Sequence, residues 1–211
     1  MPQATGVPVE LARAPLRTVR VRDVTAYAHP RAQLVRLQRR GVMHRLADGF
    51  YTVVPQERVG ETWLPTLEGA AAGIAAAEFG ERRYALMGLS AARMHRVLPR
   101  ALAVAFVASP RRRQSMHLTD RDAVIHFRPR DMDLVHVELM RTDLGDCLVT
   151  TPEQTVLDLA HLPRGPVIVD DVHEAIRTLL PRCDDTVLFE IAERQRLRRA
   201  LAYVRRVMRT S

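Results

Sequence analysis

Pro30-Arg31-Ala32-Gln33-Leu34-Val35-Arg36-Leu37-Gln38-Arg39-Arg40-Gly41-Val42-Met43-His44-Arg45-Leu46-Ala47-Asp48-Gly49-Phe50-Tyr51-Thr52-Val53-Val54 is the stretch that decides how this chain reads. Proline suits the first turn of a helix, and glycine suits the left-handed residue that closes one. Between them, Leu34, Val35 and Leu37 fall broadly on one side, while Arg36, Arg39 and Arg40 fall on the other. Val42–Leu46 and Phe50–Val54 then read as two strands joined by the tight turn Ala47-Asp48-Gly49, with Pro55 ending the unit.

Upstream, Val7–Ala14 reads as a short helix stopped by Pro15, and Thr18–Arg22 alternates like a short strand. Asp23 is expected to cap a short helix through Ala28 that ends before Pro30. Helix, strand, helix, helix, hairpin is the order of a winged helix-turn-helix, expected here over residues 7–56. Arg31–Arg40 would be its recognition helix.

Charge supports that assignment. The chain has 211 residues and a net charge of +8, and all 32 of its basic residues are arginine. Residues 11–47 hold nine arginines and one acid, Asp23, so this window carries the whole excess. A basic segment on an electroneutral body points to an anionic partner, with nucleic acid first. Arg36, Arg39 and Arg40 are the candidate base and phosphate contacts. Arg31 would hold phosphate near the helix start, and His44 and Arg45 would touch the backbone or minor groove from the wing.

Downstream, residues 56–64 read as a linker and 62–211 as a mixed α/β domain. Helices are expected at Pro65–Phe79, Leu86–Val97, from Thr151 onward, at Asp170–Leu180, and from Thr186 to about Arg209. The last keeps Leu197, Leu201, Val204 and Met208 on one stripe. Strands are expected near 101–109, 123–127, 135–140 and 147–150, with Arg111-Arg112-Arg113 as an exposed turn. Residues 131–190 hold thirteen acids and four arginines, a surface suited to a basic partner. The fold class expected is therefore α+β: a winged helix-turn-helix followed by a mixed α/β domain.

Other classes are excluded. With 47% hydrophobic and 27% charged residues, the chain is globular rather than disordered. No apolar run approaches the roughly 20 residues of a membrane helix, and the start lacks a signal-peptide pattern, so a cytoplasmic protein without a membrane role is expected. Cys147 and Cys183 are too few for a disulfide framework or a paired-thiolate zinc site. No phosphate-cradling glycine loop and no histidine pair at metal-ligand spacing appears, so neither catalysis nor a cofactor or metal is expected. Ser90 lacks the second glycine of a nucleophile elbow and reads as a helix cap. Asp170, Asp171 and Glu174 read as acids in a first helical turn rather than as a cation site.

Three blocks then carry a family likeness. Leu34–Tyr51 resembles the helix and wing of AbiEi-type antitoxins. Tyr84-Ala85-Leu86-Met87-Gly88-Leu89-Ser90-Ala91-Ala92-Arg93-Met94-His95 and Thr150-Thr151-Pro152-Glu153-Gln154-Thr155-Val156-Leu157-Asp158-Leu159-Ala160 are similar to two further elements of that family, in family order. The MenA-type subgroup is the one it most resembles. One departure is the short segment ahead of the recognition helix, where many members have a longer first helix. The resemblance implies an antitoxin of a type IV-like toxin–antitoxin or phage-defence system. It would repress its own operon by binding operator DNA and counteract a cognate nucleotidyltransferase-like toxin. A stand-alone transcriptional regulator with a protein-interaction domain is the alternative. Winged-helix operators are often repeats, which allows an oligomer on DNA.

Overall fold

The structure, a computed structural model, describes residues 6–98, 100, 102–161 and 169–209. The side chains of Asp170 and Met208 lie outside the described residues.

The amino-terminal unit opens with α1 (Val9–Ala12) and β1 (Thr18–Arg20). The helix expected after Asp23 is absent. A single 3₁₀ turn, Val21–Asp23, leads into an irregular segment. Asp23 Oδ2 there accepts a hydrogen bond from Arg20 Nε at 2.6 Å, so the side chain turns back toward β1. Next come α2 (Pro30–Arg39), β2 (Met43–Ala47) and β3 (Phe50–Val53), which form an antiparallel sheet in the order β1-β3-β2.

The central strand β3 is buried on both sides. Tyr51 and Val53 join Leu34 and Leu37 of α2 in one core that also holds Leu11, Val24 and Met43. Burying each of the two leucines contributes about 2 kcal/mol. On the opposite side, Phe50, with Leu46 and Ala47, enters a second core built around α3 (Leu67–Phe79). The alanine-rich face of α3 makes that approach feasible. A Cβ at Gly73 would lie 2.4 Å from Thr18 Oγ1, so glycine is what lets β1 sit against the helix.

The body is a six-stranded mixed sheet in the order β6-β7-β5-β4-β9-β8. Its strands are β4 (Ala85–Leu86), β5 (Val104–Ser109), β6 (Met116–His117), β7 (Val124–Pro129), β8 (Val137–Thr142) and β9 (Gly145–Thr150). The β4–β9 and β5–β7 pairs are parallel and the others antiparallel. α3 covers one face, through Ala105, Val107, Ile125 and Val149. The other face carries α4 (Gly88–Met94), α5 (Pro152–His161), α6 (Val169–Leu179) and α8 (Arg198–Arg209), with α7 (Asp185–Arg194) packed outside α5. This is the α+β class expected, with an amino-terminal helix-and-hairpin unit ahead of a larger mixed domain.

Three local expectations are corrected. The first helix of the Leu86–Val97 region starts at Gly88, because Ala85 and Leu86 pair as a strand with β5 and β9. Ser90 sits inside α4 and caps nothing; its buried Oγ accepts a hydrogen bond from the Phe106 backbone N–H at 3.0 Å, tying α4 to β5. The last helical region is two helices, because Arg196 adopts φ +57° and stops α7. The β6 strand had no sequence signal. Cys147 and Cys183 are both free.

Candidate nucleic-acid interface

Helix α2 is held by its inner face and its two ends. Pro30 occupies its first turn, and Leu34 and Leu37 are buried against the sheet. At the end, Gly41 takes φ +71°. Its N–H bonds to the Gln38 carbonyl at 2.9 Å, and Val42 N–H reaches the Leu37 carbonyl at 3.2 Å. These two bonds are the Schellman pattern, which satisfies carbonyls that the helix cannot.

Arg31, Arg36 and Arg39 of α2 and Arg40 just beyond its end are all exposed, and the Arg40 guanidinium lies against Gly6. At 3.6 residues per turn, Arg36, Arg39 and Arg40 lie within an arc of about 100°. Among the described residues, none of the four has a carboxylate within ion-pair distance. The last-turn arginines also complement the partial negative charge of the helix end.

The two wing residues are placed differently. His44 Nε2 lies 2.7 Å from Asp120 Oδ2, and its ring meets Trp63 edge-on. Burial pushes the Asp120 carboxyl upward, but hydrogen bonds from His44 and Arg121 outweigh that and leave it below the ordinary range. Arg45 Nη2 pairs with Asp48 Oδ1 at 2.7 Å inside the hairpin, and its Nε is buried without a partner. The hairpin is further fixed to the body by the Thr119 N–H, which donates to the Leu46 carbonyl at 2.8 Å. So the structure gathers Arg36, Arg39 and Arg40 within one arc at the end of α2, places Arg31 about 180° from Arg40 around the helix axis, and commits His44 and Arg45 to carboxylates.

A second arginine group was not singled out from sequence. The Glu78 carboxylate, buried near the end of α3, receives Arg20 at 2.9 Å, Arg111 at 3.2 Å, Arg113 at 3.3 Å and Arg22 at 3.9 Å. The Arg-Arg-Arg run was visible in the sequence. What it faces depends on contacts between residues 33 or more positions apart.

The polar residues of the two carboxy-terminal blocks face inward. His95 Nε2 bonds to the Thr150 carbonyl at 2.8 Å, and the Thr150 and Thr155 hydroxyls meet at 2.7 Å. Gln154 Nε2 donates to Asp158 Oδ1 at 3.2 Å, and Gln195 Nε2 donates to Gln154 Oε1 at 2.6 Å and to the Leu134 carbonyl at 2.7 Å. Glu153 Oε1 accepts from the Asp184 N–H at 3.0 Å. Asp158 is buried; desolvation pushes its carboxyl up to about 6 even though Arg130 lies 2.9 Å away. This seam joins α5 to β9, α4 and α7, so its residues hold the fold together. Among the described residues, no group of three or more His, Cys, Asp or Glu side chains could hold a metal ion. No helix among them is long and apolar enough to cross a membrane.

Comparison with known proteins follows the same division. Residues 84–207 match the family model described as the AbiEi antitoxin C-terminal domain. The fold is similar to the crystal structure of the RV2827C protein from Mycobacterium tuberculosis, with a TM-score of 0.56 and 19% identity over 94% of this chain and 78% of that one. No curated protein matches the sequence.

Proposed function

The chain belongs to the AbiEi antitoxin family, and from that premise we propose that it binds the operator of its own operon through α2 and counteracts a cognate nucleotidyltransferase-like toxin. The observation that carries the DNA half is the outer face of α2. Four exposed arginines have no carboxylate within ion-pair distance among the described residues, and the inner face of the helix is buried behind them. A planar fork of this kind grips phosphate, or guanine O6 and N7 in the major groove. Each phosphate neutralised steepens the salt dependence of binding by about 0.9 logarithmic units.

The triple variant Arg36→Ala, Arg39→Ala, Arg40→Ala tests the assignment in a gel-shift assay on DNA from upstream of the reading frame. It is expected to lose the shift while keeping the wild-type circular dichroism spectrum. A normal shift by the triple variant removes α2 as the reader.

The toxin half is supported by the family and by the surface of α7. Phe189 is 49% exposed there, next to the exposed carboxylate Glu190 and one turn from the exposed Asp185. An apolar side chain rimmed by acids suits a basic protein face. Tagged protein is expected to retain the product of the adjacent reading frame, and Phe189→Ser to weaken that retention. Undiminished retention by Phe189→Ser places the contact elsewhere.

A further inference from the structure

The groove between the hairpin turn and the β5–β6 loop is built from more positive charge than the fold consumes. Its volume is about 570 Å³, and Asp48, Glu78, Phe79, Arg111, Arg112 and Arg113 are among the residues lining it. Glu78 stands near the carboxy end of α3, where helix carbonyls already disfavour a negative charge, so a cation beside it is a structural need. One or two guanidiniums would meet that need. Four converge on it, and Asp23, the one other carboxylate among the described residues that pairs with any of them, takes Arg20 and Arg22. Asp48 is taken by Arg45.

Three further observations point outward. Arg112 is exposed and, among the described residues, has no carboxylate partner. The Arg113 guanidinium lies within cation–π reach of the rings of Phe50 and Phe127, at 5.8 and 5.7 Å, and its buried Nε has no hydrogen-bond acceptor. Arg111 lies over Phe79 at 5.7 Å. These ring contacts, with the ion pairs to Glu78, restrain Arg111 and Arg113 before any ligand arrives, which lowers the ordering cost of binding.

We propose that this loop is a second phosphate-gripping surface, which holds the backbone of duplex DNA beside the hairpin turn with Arg111, Arg112 and Arg22. The proposal rests on the reading that the chain binds DNA. It adds contacts from the carboxy-terminal domain, so that the duplex spans both parts of the molecule. The sugar–phosphate backbone is the occupant favoured here. The groove is open and lined by several separate guanidiniums, as suits a row of phosphates, and the wing turn of a winged helix lies at its edge.

The test is fluorescence anisotropy of the full chain with a labelled duplex from upstream of its reading frame, titrated from about 50 to about 200 mM salt. The double variant Arg111→Gln, Arg112→Gln leaves Arg20, Arg22 and Arg113 to hold Glu78, and is expected to melt like the wild type. Its slope of log K against log salt should be shallower by about two, with affinity roughly tenfold weaker at the higher salt. Arg112→Ala alone should cost about one unit of slope. An unchanged slope in both variants, with binding lost in the α2 triple variant, overturns the proposal and leaves the DNA reading standing. Unchanged DNA binding together with loss of the adjacent gene product assigns the loop to an acidic protein instead, and also overturns it. If wild-type protein binds no duplex at the lowest salt, both readings fall together.

Discussion

Helices α2 and α5 each have ten residues and a comparable share of polar side chains, yet they use them in opposite ways. On α5, Glu153, Gln154, Thr155 and Asp158 are buried, and each has an internal partner. On α2, Arg31, Arg36 and Arg39 are exposed, as is Arg40 just beyond its end, and among the described residues none of them has an ion-pair partner. Buried polar groups that are fully satisfied specify a fold, because any alternative packing strands them. Exposed cations with no internal carboxylate contribute little to stability, so they are free to serve an external partner. The contrast separates residues that make this protein fold from those to which the proposed function assigns DNA binding.

The sharpest attempt to break this division is Arg130→Ala, which removes the ion-pair partner of the buried Asp158 carboxyl. It is expected to cost about 3 kcal/mol in urea denaturation. A loss below about 1 kcal/mol would mean that α5 depends on its polar seam no more than a surface helix does. The same carboxyl gives a pH signature. Its native pKa, raised by burial from 3.8 to about 6, lies above the unfolded value. The folded state therefore holds the proton more tightly, and this group's share of stability falls as pH rises between those values. The stability of Asp158→Asn relative to wild type should accordingly rise across that interval. A flat difference removes Asp158 as its source.

Gly41→Ala comes next. Nothing lies within 4 Å of the added methyl, so the cost is that of a left-handed residue alone, about 1 kcal/mol. Thermal melting should show this while DNA affinity stays near wild type. The α2 triple alanine variant is placed last, with a stability change within about 0.5 kcal/mol despite complete loss of the shift. If it melts far below the wild type, its arginines belong with the structural set and the contrast dissolves.

What could be read in advance follows the same physics. α2, its glycine stop and the hairpin were legible because periodicity, turn residues and charge all agreed within one short window. The break between α7 and α8 was not. There Arg196 N–H bonds to the Glu193 carbonyl at 3.2 Å and Leu197 N–H to the Ala192 carbonyl at 2.7 Å, the same Schellman pattern as at Gly41. An arginine stands where glycine would have announced it. Arg96 ends α4 in the same way, at φ +62°. The pairings of His44 and Arg45 were hidden for different reasons. Asp48 was three residues from Arg45, but its choice of partner is a rotamer matter. Asp120 lies 76 residues from His44, and only the packed fold joins them.

The two-sided burial of the small amino-terminal sheet has a mechanical corollary. Tyr51 and Val53 serve one core while Phe50 serves the other, so the strand between them acts as a keystone. A duplex seated on α2 would set the azimuth of the carboxy-terminal domain around its axis, without a swivel at the hairpin. Torque applied at either end would be felt at the other. Excision of the first 56 residues would uncover an apolar surface on each fragment rather than release two independent ones.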